Sequence, residues 1–350
     1  MSPEVAEPSP PLPAAVEPAL TGLADASWPR RVFAYAIFPV AFFGALLITY
    51  ACFQEGRAPA LATLPGIAFG TLMVILGEWV QPRSALWSKS YGDTPTDLKH
   101  VLFSQLLPPP LVELALKATA GVAAVLIAER LGRGLWPVGI PFVLQVALAA
   151  VIGEFGQYWW HRLCHESLWF WRFHVTHHSA PRLWWLNAAR FHPLDTVFSY
   201  TLTILPLILL GCPPEVVAMM ATFTAVHGVF QHANIDLRLG PLNWIFSMAE
   251  LHRWHHSRTL SDANTNYGAN IIFWDIVFGT RHLPKDRVHP PADVGFLGDT
   301  AFPTTYVGQL WTPFRWGALL VELDQAARST ADTTDAQGVE DAAPASTATE

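Results

Sequence analysis

Fourteen histidines are spread unevenly along this 350-residue chain, and their crowding is what points to chemistry. Residues 161–192 hold six of them, His161, His165, His174, His177, His178 and His192, where the chain average would give about one. Residues 252–256 hold three more, His252, His255 and His256. His161 and His165 are four residues apart, so on a helix both rings leave from one face. His174 with His177 and His178 gives spacings of three and four, and His252 with His255 and His256 repeats the pattern. One HxxHH turn offers two neighbouring imidazoles to one metal ion and a third to another. Two such turns facing the HxxxH turn gather eight imidazoles, too many for one ion and suited to two. Imidazole binds iron, zinc, copper and nickel alike, so spacing leaves the metal open. Without metal, eight buried imidazoles would each need a hydrogen-bond partner, and protonating them together would be repulsive.

Three further histidines are candidates of a different kind. His227 and His232 are five apart, which is not one face of a regular helix. They ligate together only if the helix breaks or if they serve different metals. His232, followed by Ala233-Asn234, is the preferred ligand of the two. His227, and His192 in Arg190-Phe191-His192-Pro193, fit a ligand role no better than a place in the core or in support of ligands. His100, His282 and His289 are isolated and are read as non-ligands. His165-Glu166 is followed by Ser167-Leu168-Trp169, so no HExxH zinc motif is formed. Cys52, Cys164 and Cys212 lie far apart and imply neither a disulfide framework nor a zinc ribbon.

The elements that must carry these side chains are apolar helices. Half the chain is hydrophobic and 14% is charged, against about 25% in an ordinary soluble domain. Val32 to Phe53 is uncharged and long enough to cross a bilayer as a helix. Leu61 to Val80, with Glu78 near its end, returns as the second arm of a hairpin. Leu106 to Ala128, with Glu113 and Lys117, spans or lies partly in the interface. Trp136 to Trp160 runs straight into the histidines. Val197 to Leu210 and Val216 to Phe230, joined at Cys212-Pro213-Pro214, suggest a re-entrant pair. Trp169, Trp171, Trp184 and Trp185 belong either to a pocket or to an interfacial aromatic belt.

Residues 1–29 and 325–350 are polar and read as disordered tails. The first lacks the basic and apolar regions of a secretory signal peptide. Four acids in the first tail and five in the second account for more than the whole net charge of −7. The part between is slightly positive, with no basic stripe for nucleic acid. Lys and Arg gather on the side of the histidines if the first four segments all span, and that side is expected to be the cytoplasm. The chain thus divides into residues 30–135 with transmembrane helices, 136–290 with the histidine boxes, and a C-terminal segment, 291–324.

The ordered set of motifs resembles the sterol desaturase/fatty acid hydroxylase superfamily of membrane histidine-box oxidases. The resemblance runs from about Glu154 to His282. It rests on Tyr158-Trp159-Trp160-His161-Arg162-Leu163-Cys164-His165, Phe173-His174-Val175-Thr176-His177-His178-Ser179, Arg190-Phe191-His192-Pro193 and Gln231-His232-Ala233-Asn234. His252-Arg253-Trp254-His255-His256-Ser257, Asn266-Tyr267-Gly268 and Trp274-Asp275-Ile276-Val277-Phe278-Gly279-Thr280 complete it. It implies an all-α integral membrane fold, with about four to six transmembrane or re-entrant helices under a cytosolic helical cap that encloses a dinuclear histidine site. It implies two iron ions, zinc being able to substitute in a purified form, and O₂-dependent hydroxylation or desaturation of a lipid. It also implies an external electron donor of ferredoxin or cytochrome type, with its reductase. The family often has Asp seven residues before the first box histidine; here Glu154 stands there, on the helix face of His161, and is expected to support it.

Other classes fit less well. A membrane metal transporter needs sites that release their ion, whereas this many imidazoles retain it. A bis-histidine haem carrier needs paired ligands at mid-membrane depth. A zinc-dependent lipid hydrolase on the same scaffold is separated from an oxidase by the need for O₂ and reductant.

Overall fold

The computed structural model describes residues 26–285, 288–326 and 328. The two stretches expected as disordered tails lie largely outside these residues, although helix already begins at Trp28 and 325–326 are still helical. Among the described residues the protein is all helical, with three isolated β-bridges and no extended strand. Four helical stretches are long and apolar enough to cross a membrane, and the fold is that of an all-α membrane protein.

α1 (Trp28–Gln54) and α2 (Pro59–Val80) form an antiparallel hairpin. They pack closely because Gly66 offers no side chain: a Cβ there would collide with the Ala45 carbonyl and the Thr49 hydroxyl. The third stretch differs from the sequence reading. It begins at Thr94, not Leu106, as α3 (Thr94–Lys99), widens into a π-helical turn over His100–Leu106, and continues as α4 (Pro108–Leu131). Pro108, Pro109 and Pro110 lack N–H groups and interrupt the helical ladder, and the turn before them takes the wider geometry. α5 (Phe142–Glu166) starts later than expected. The preceding residues form a cap, in which the Gln145 side chain donates to the Val138 and Ile140 carbonyls and accepts from Trp136 Nε1.

Ser167 alone separates α5 from α6 (Leu168–His178), so the chain reverses sharply between the first two histidine motifs. α7 (Pro193–Leu209) and α8 (Pro214–Gln231) form the late hairpin. Its tip, at Pro213, Glu215 and Val216, lines one cleft with Tyr50 and Phe53 at the end of α1 and Phe142 at the start of α5. Eighteen residues of α8 rise about 27 Å, close to the ~30 Å of a hydrocarbon core.

The opposite end of the bundle carries the histidines. The first turn of α1 and the last of α2 meet there, where the Gln81 amide donates to the Arg30 carbonyl. Short helices α9 (Ala249–His255), α10 (Leu260–Ala263), α11 (Phe273–Phe278) and α12 (Tyr306–Trp311) close over this end. A core of Phe38, Phe42, Phe223, Phe230 and Phe246 ties α1 to α8 beneath them. Large apolar side chains face outward along the bundle, Leu47 and Leu114 both more than 60% exposed. That pattern suits lipid contact rather than water.

Candidate metal centre

Nine imidazoles converge in two neighbouring groups. The first holds His161 and His165 from α5, His174 and His178 from α6, and His255 from α9. The second holds His177 from α6, His232 just beyond α8, and His252 and His256 at α9. Within each group the ligand-capable atoms all lie within 4.8 Å of one another. The helical period decides the sorting. On α6 the first and last histidines of HxxHH face the first group and the middle one faces the second. On α9 the first and last face the second group and the middle one the first. The two motifs are thus used in complementary senses, and each group draws on at least three separate parts of the chain.

Backbone and side-chain acceptors turn the rings. Nδ1–H of His161 donates to the Tyr267 carbonyl at 2.6 Å, and that of His255 to the Thr265 carbonyl at 2.8 Å. His174 Nδ1–H donates to Asp195 Oδ2 and His232 Nδ1–H to Asn187 Oδ1, each at 2.8 Å. A carbonyl oxygen can only accept, so these rings carry their proton on Nδ1 and present the Nε2 lone pair inward. Their holders are themselves fixed. Asp195 also accepts from Trp160 Nε1 at 2.7 Å. Asp275 accepts from the backbone N–H groups of Tyr267 and Gly268. Glu78, from α2, accepts from those of Trp185 and Asn234 on either side of the Asn187–His232 pair.

Inside the first group, Nε2 of all five histidines is buried with no hydrogen-bond partner among the described residues. In the second, the four Nε2 atoms ring one point, with neighbours 3.0 to 3.3 Å apart. An ion with metal–nitrogen bonds of ~2.0–2.1 Å separates adjacent ligand nitrogens by about 3–3.4 Å. Burial, and then the neighbouring imidazoles, hold His177, His178, His252, His255 and His256 well below the usual histidine range. Burial pushes His232 down to about 3. These rings are therefore neutral and offer lone pairs. Five unpartnered inward nitrogens in one cluster, and four that face only one another in the next, fit a pair of transition-metal ions. Cys164, His174 and Asp195 also come together, but Asp195 is already engaged by His174 and Trp160, so it orients a ring rather than building a third site.

Several expectations shift. His192 lies outside both groups. Its Nδ1 accepts from the Leu194 N–H and its Nε2 donates to the Leu310 carbonyl, so it caps α7 with both nitrogens used. His227 also lies outside, because five residues turn a helix through about 500°, leaving it about 140° from the direction of His232; Phe38, Phe223 and Phe246 surround it. Glu154 does not touch His161. It accepts from the Ala269 and Asn270 backbone N–H groups and the Asn270 amide. It thus fixes the loop just beyond Tyr267, whose carbonyl holds His161. Of the four tryptophans, Trp171 lies on the His165 and His178 rings. Trp169 is exposed under Arg172, Trp184 bonds to Asp97, and Trp185 packs on the α1–α8 core. His100, His282 and His289 stand apart from both groups. Sequence reading missed Asp195, Asn187 and Thr265 altogether. An acid in the first turn of α7 signals a helix start, but its partner is 21 residues away and only the fold joins them.

Comparison with known proteins agrees with this geometry. The fatty acid hydroxylase family model matches residues 146–280. The ornithine lipid hydroxylase OlsE of Rhizobium tropici is 40% identical over 245 residues, 69% of this chain and 72% of that protein. The alkylglycerol monooxygenase of Homo sapiens is 33% identical over 135 residues, 39% of this chain and 30% of that protein. Methylsterol monooxygenase 1 of Rattus norvegicus is 29% identical over 133 residues, 37% of this chain and 44% of that protein. The chain spans less than half the length of the last two relatives. No solved structure matches it significantly.

Proposed function

The chain belongs to the sterol desaturase/fatty acid hydroxylase superfamily, and from that premise we propose that its nine clustered imidazoles hold two iron ions with which it hydroxylates a C–H bond of a membrane lipid. It is an oxidoreductase of lipids. The observation that carries the reading is the division of nine histidines, eight of them buried, into two adjacent groups whose ligand-capable atoms cluster within 4.8 Å. The first group holds one ion through His161, His165, His174, His178 and His255; the second holds the other through His177, His232, His252 and His256.

Bound there, the iron supplies reductive activation of O₂ and abstraction of hydrogen from an unactivated C–H bond. The chain's own residues do the rest. Asp195, Asn187 and the carbonyls of Tyr267 and Thr265 hold the rings in one tautomer and one direction. Phe191 stacks on His177, with ring centroids 4.1 Å apart, and Trp171 covers His165 and His178. These apolar faces keep water from the centre.

Electrons come from a separate ferredoxin- or cytochrome-type protein and its reductase. The histidines face the cytoplasm in this reading. Support comes from the shared end of the bundle: Arg30, Arg31 and Arg83 lie with the histidines, while Arg57, Arg130 and Arg133 lie at or just beyond helix ends on the other side. A relative matched over 72% of its own length is an ornithine lipid hydroxylase, and an aminolipid of that kind is the substrate to try first. Lipid mass spectrometry of a host with and without the intact protein tests the reading. A gain of one oxygen (+16) on one lipid class, dependent on O₂ and reductant, is expected. A loss of two hydrogens (−2) would reassign the outcome to desaturation, and no oxygen-dependent change would contradict both.

A further inference from the structure

Tyr158 is fully buried on α5, three residues before His161, and takes no part in holding the histidine rings. Its hydroxyl sits in a directed chain. The Thr280 hydroxyl donates its one proton to Asp275 Oδ1 at 2.7 Å. The Tyr158 hydroxyl, 3.0 Å from Thr280 Oγ1, is therefore the donor of that pair. Arg162 Nη1 donates to the Tyr158 oxygen at 3.3 Å. Phenol, alcohol and carboxylate thus line up as a proton path that ends on a buried acid. The backbone N–H groups of Tyr267 and Gly268 also donate to Asp275 and fix it as the acceptor. Burial raises the Asp275 carboxyl above its usual range, which makes it a stronger base.

The Tyr158 ring stands in a file of oxidisable aromatics that leads from the metal centre to the surface. At the inner end, the Tyr267 ring centroid is 5.6 to 6.0 Å from those of His161, His165 and His255. Tyr158 follows at 6.0 Å from Tyr267, and Trp159 at 5.6 Å from Tyr158. Trp159 is 41% exposed, with the Arg162 guanidinium over its ring. The two tyrosines differ in one respect. The Tyr267 hydroxyl is buried with no hydrogen-bond partner among the described residues, so it has nowhere to send a proton. A phenol is far harder to oxidise when it must keep its proton. Tyr158 has its proton acceptor built in.

We propose that Tyr158, with Thr280 and Asp275 as its proton path, drains oxidising equivalents from the metal centre to Trp159 at the surface when O₂ has been activated and no lipid C–H bond is in reach. The inference rests on the iron oxidase reading. In hydroxylation one oxygen atom enters the lipid and the other leaves as water. Without lipid the first atom must also leave as water, which takes two more electrons and two protons. Tyr158 supplies one electron at a time. Its O–H bond breaks, its proton passes to Thr280 as the Thr280 proton passes to Asp275, and a neutral tyrosyl radical remains. An electron from Trp159 refills that radical, and the proton returns by the same path. Trp159 is then reduced by a thiol in solution. Two thiols become one disulfide, and the two protons they release balance the two taken up as water forms.

The test uses the intact, iron-loaded protein in detergent, reduced with stoichiometric dithionite and exposed to O₂ with no lipid added. Samples frozen during the reaction are read by electron paramagnetic resonance, and digests by peptide mass spectrometry. A tyrosyl radical, its signal narrowed by ring-deuterated tyrosine, is expected, with oxygen addition at Trp159. Tyr158→Phe keeps the ring and should lose the radical at unchanged iron content. Thr280→Val keeps the shape and should lower the radical yield about tenfold, the worth of one hydrogen bond. Trp159→Phe should lengthen the life of the radical. No tyrosyl radical in either the wild type or Trp159→Phe would overturn the relay and leave the oxidase reading standing. So would a radical unchanged by Tyr158→Phe, such as one on Trp171 beside His165. Iron-loaded protein that consumes no O₂ would sink both.

Discussion

Asp195 tests how the metal centre is held. Its carboxylate is 1% exposed and accepts from His174 Nδ1 at 2.8 Å and Trp160 Nε1 at 2.7 Å. Asp195→Ala removes both acceptors and leaves two buried donors unmet, each costing about 1–3 kcal/mol, so a loss of roughly 2–6 kcal/mol and a clear fall in thermal midpoint are expected. Asp195→Asn is the informative variant. It keeps the shape and one acceptor oxygen, but its NH₂ opposes one of the two donors. The His174 ring loses its charge-assisted bond and its added basicity. Carboxylate partners of ligating histidines contribute about 10–100-fold to metal affinity. The assay is iron retained by detergent-purified protein across a chelator titration, with thermal midpoint measured alongside. The Asn variant should keep most of its stability and release iron at 10–100-fold less chelator. A wild-type release curve would refute the orienting role, and so would collapse of the fold as severe as that of the Ala variant.

Two other expectations follow from the same geometry. His192→Ala removes the cap on the Leu194 N–H, which should cost about 1 kcal/mol while leaving iron content unchanged; His255→Ala should lose iron and activity together. Equal iron loss in both variants would contradict the placement of His192 outside the centre. The pH dependence has a definite sign. His232 is held at about 3, and His252, His255 and His256 well below the usual value, whereas the unfolded chain titrates near 6.5. Between these values the unfolded state binds more protons, so stability is complete above about pH 7 and is lost progressively as pH falls from about 6.5 toward the folded values. Proton competition for the Nε2 atoms acts in the same direction. Thermal midpoints at pH 7.5 and 5.5 check this, and a midpoint unchanged or higher at pH 5.5 would contradict it.

Much of the architecture was legible in the sequence because membranes and metals impose strict local patterns. Long apolar runs marked α1 and α2, and HxxHH spacing marked two short helices. The third span was misplaced because α3 and its π-helical turn carry Asp97, Lys99 and His100, which composition treats as loop. Asp97 is buried there only because Arg190 pairs with it, an interaction across 93 residues. His192 and His227 looked alike as candidates since both are single histidines near apolar helices. One is consumed by backbone bonds and the other is turned toward α1, and neither outcome has a local signature. Glu154 was found by its helical register to His161, yet it acts one step further out, through the loop that follows Tyr267. Helical register says which face a residue shares, not which neighbour fills that face.

The most direct test is the iron content of purified protein that still oxidises lipid, read beside that of His178→Ala and His256→Ala. About two irons per chain are expected for the wild type, with each variant losing metal and activity together. An active wild-type preparation holding well under one iron per chain, or full activity in either variant, would contradict a dinuclear histidine centre.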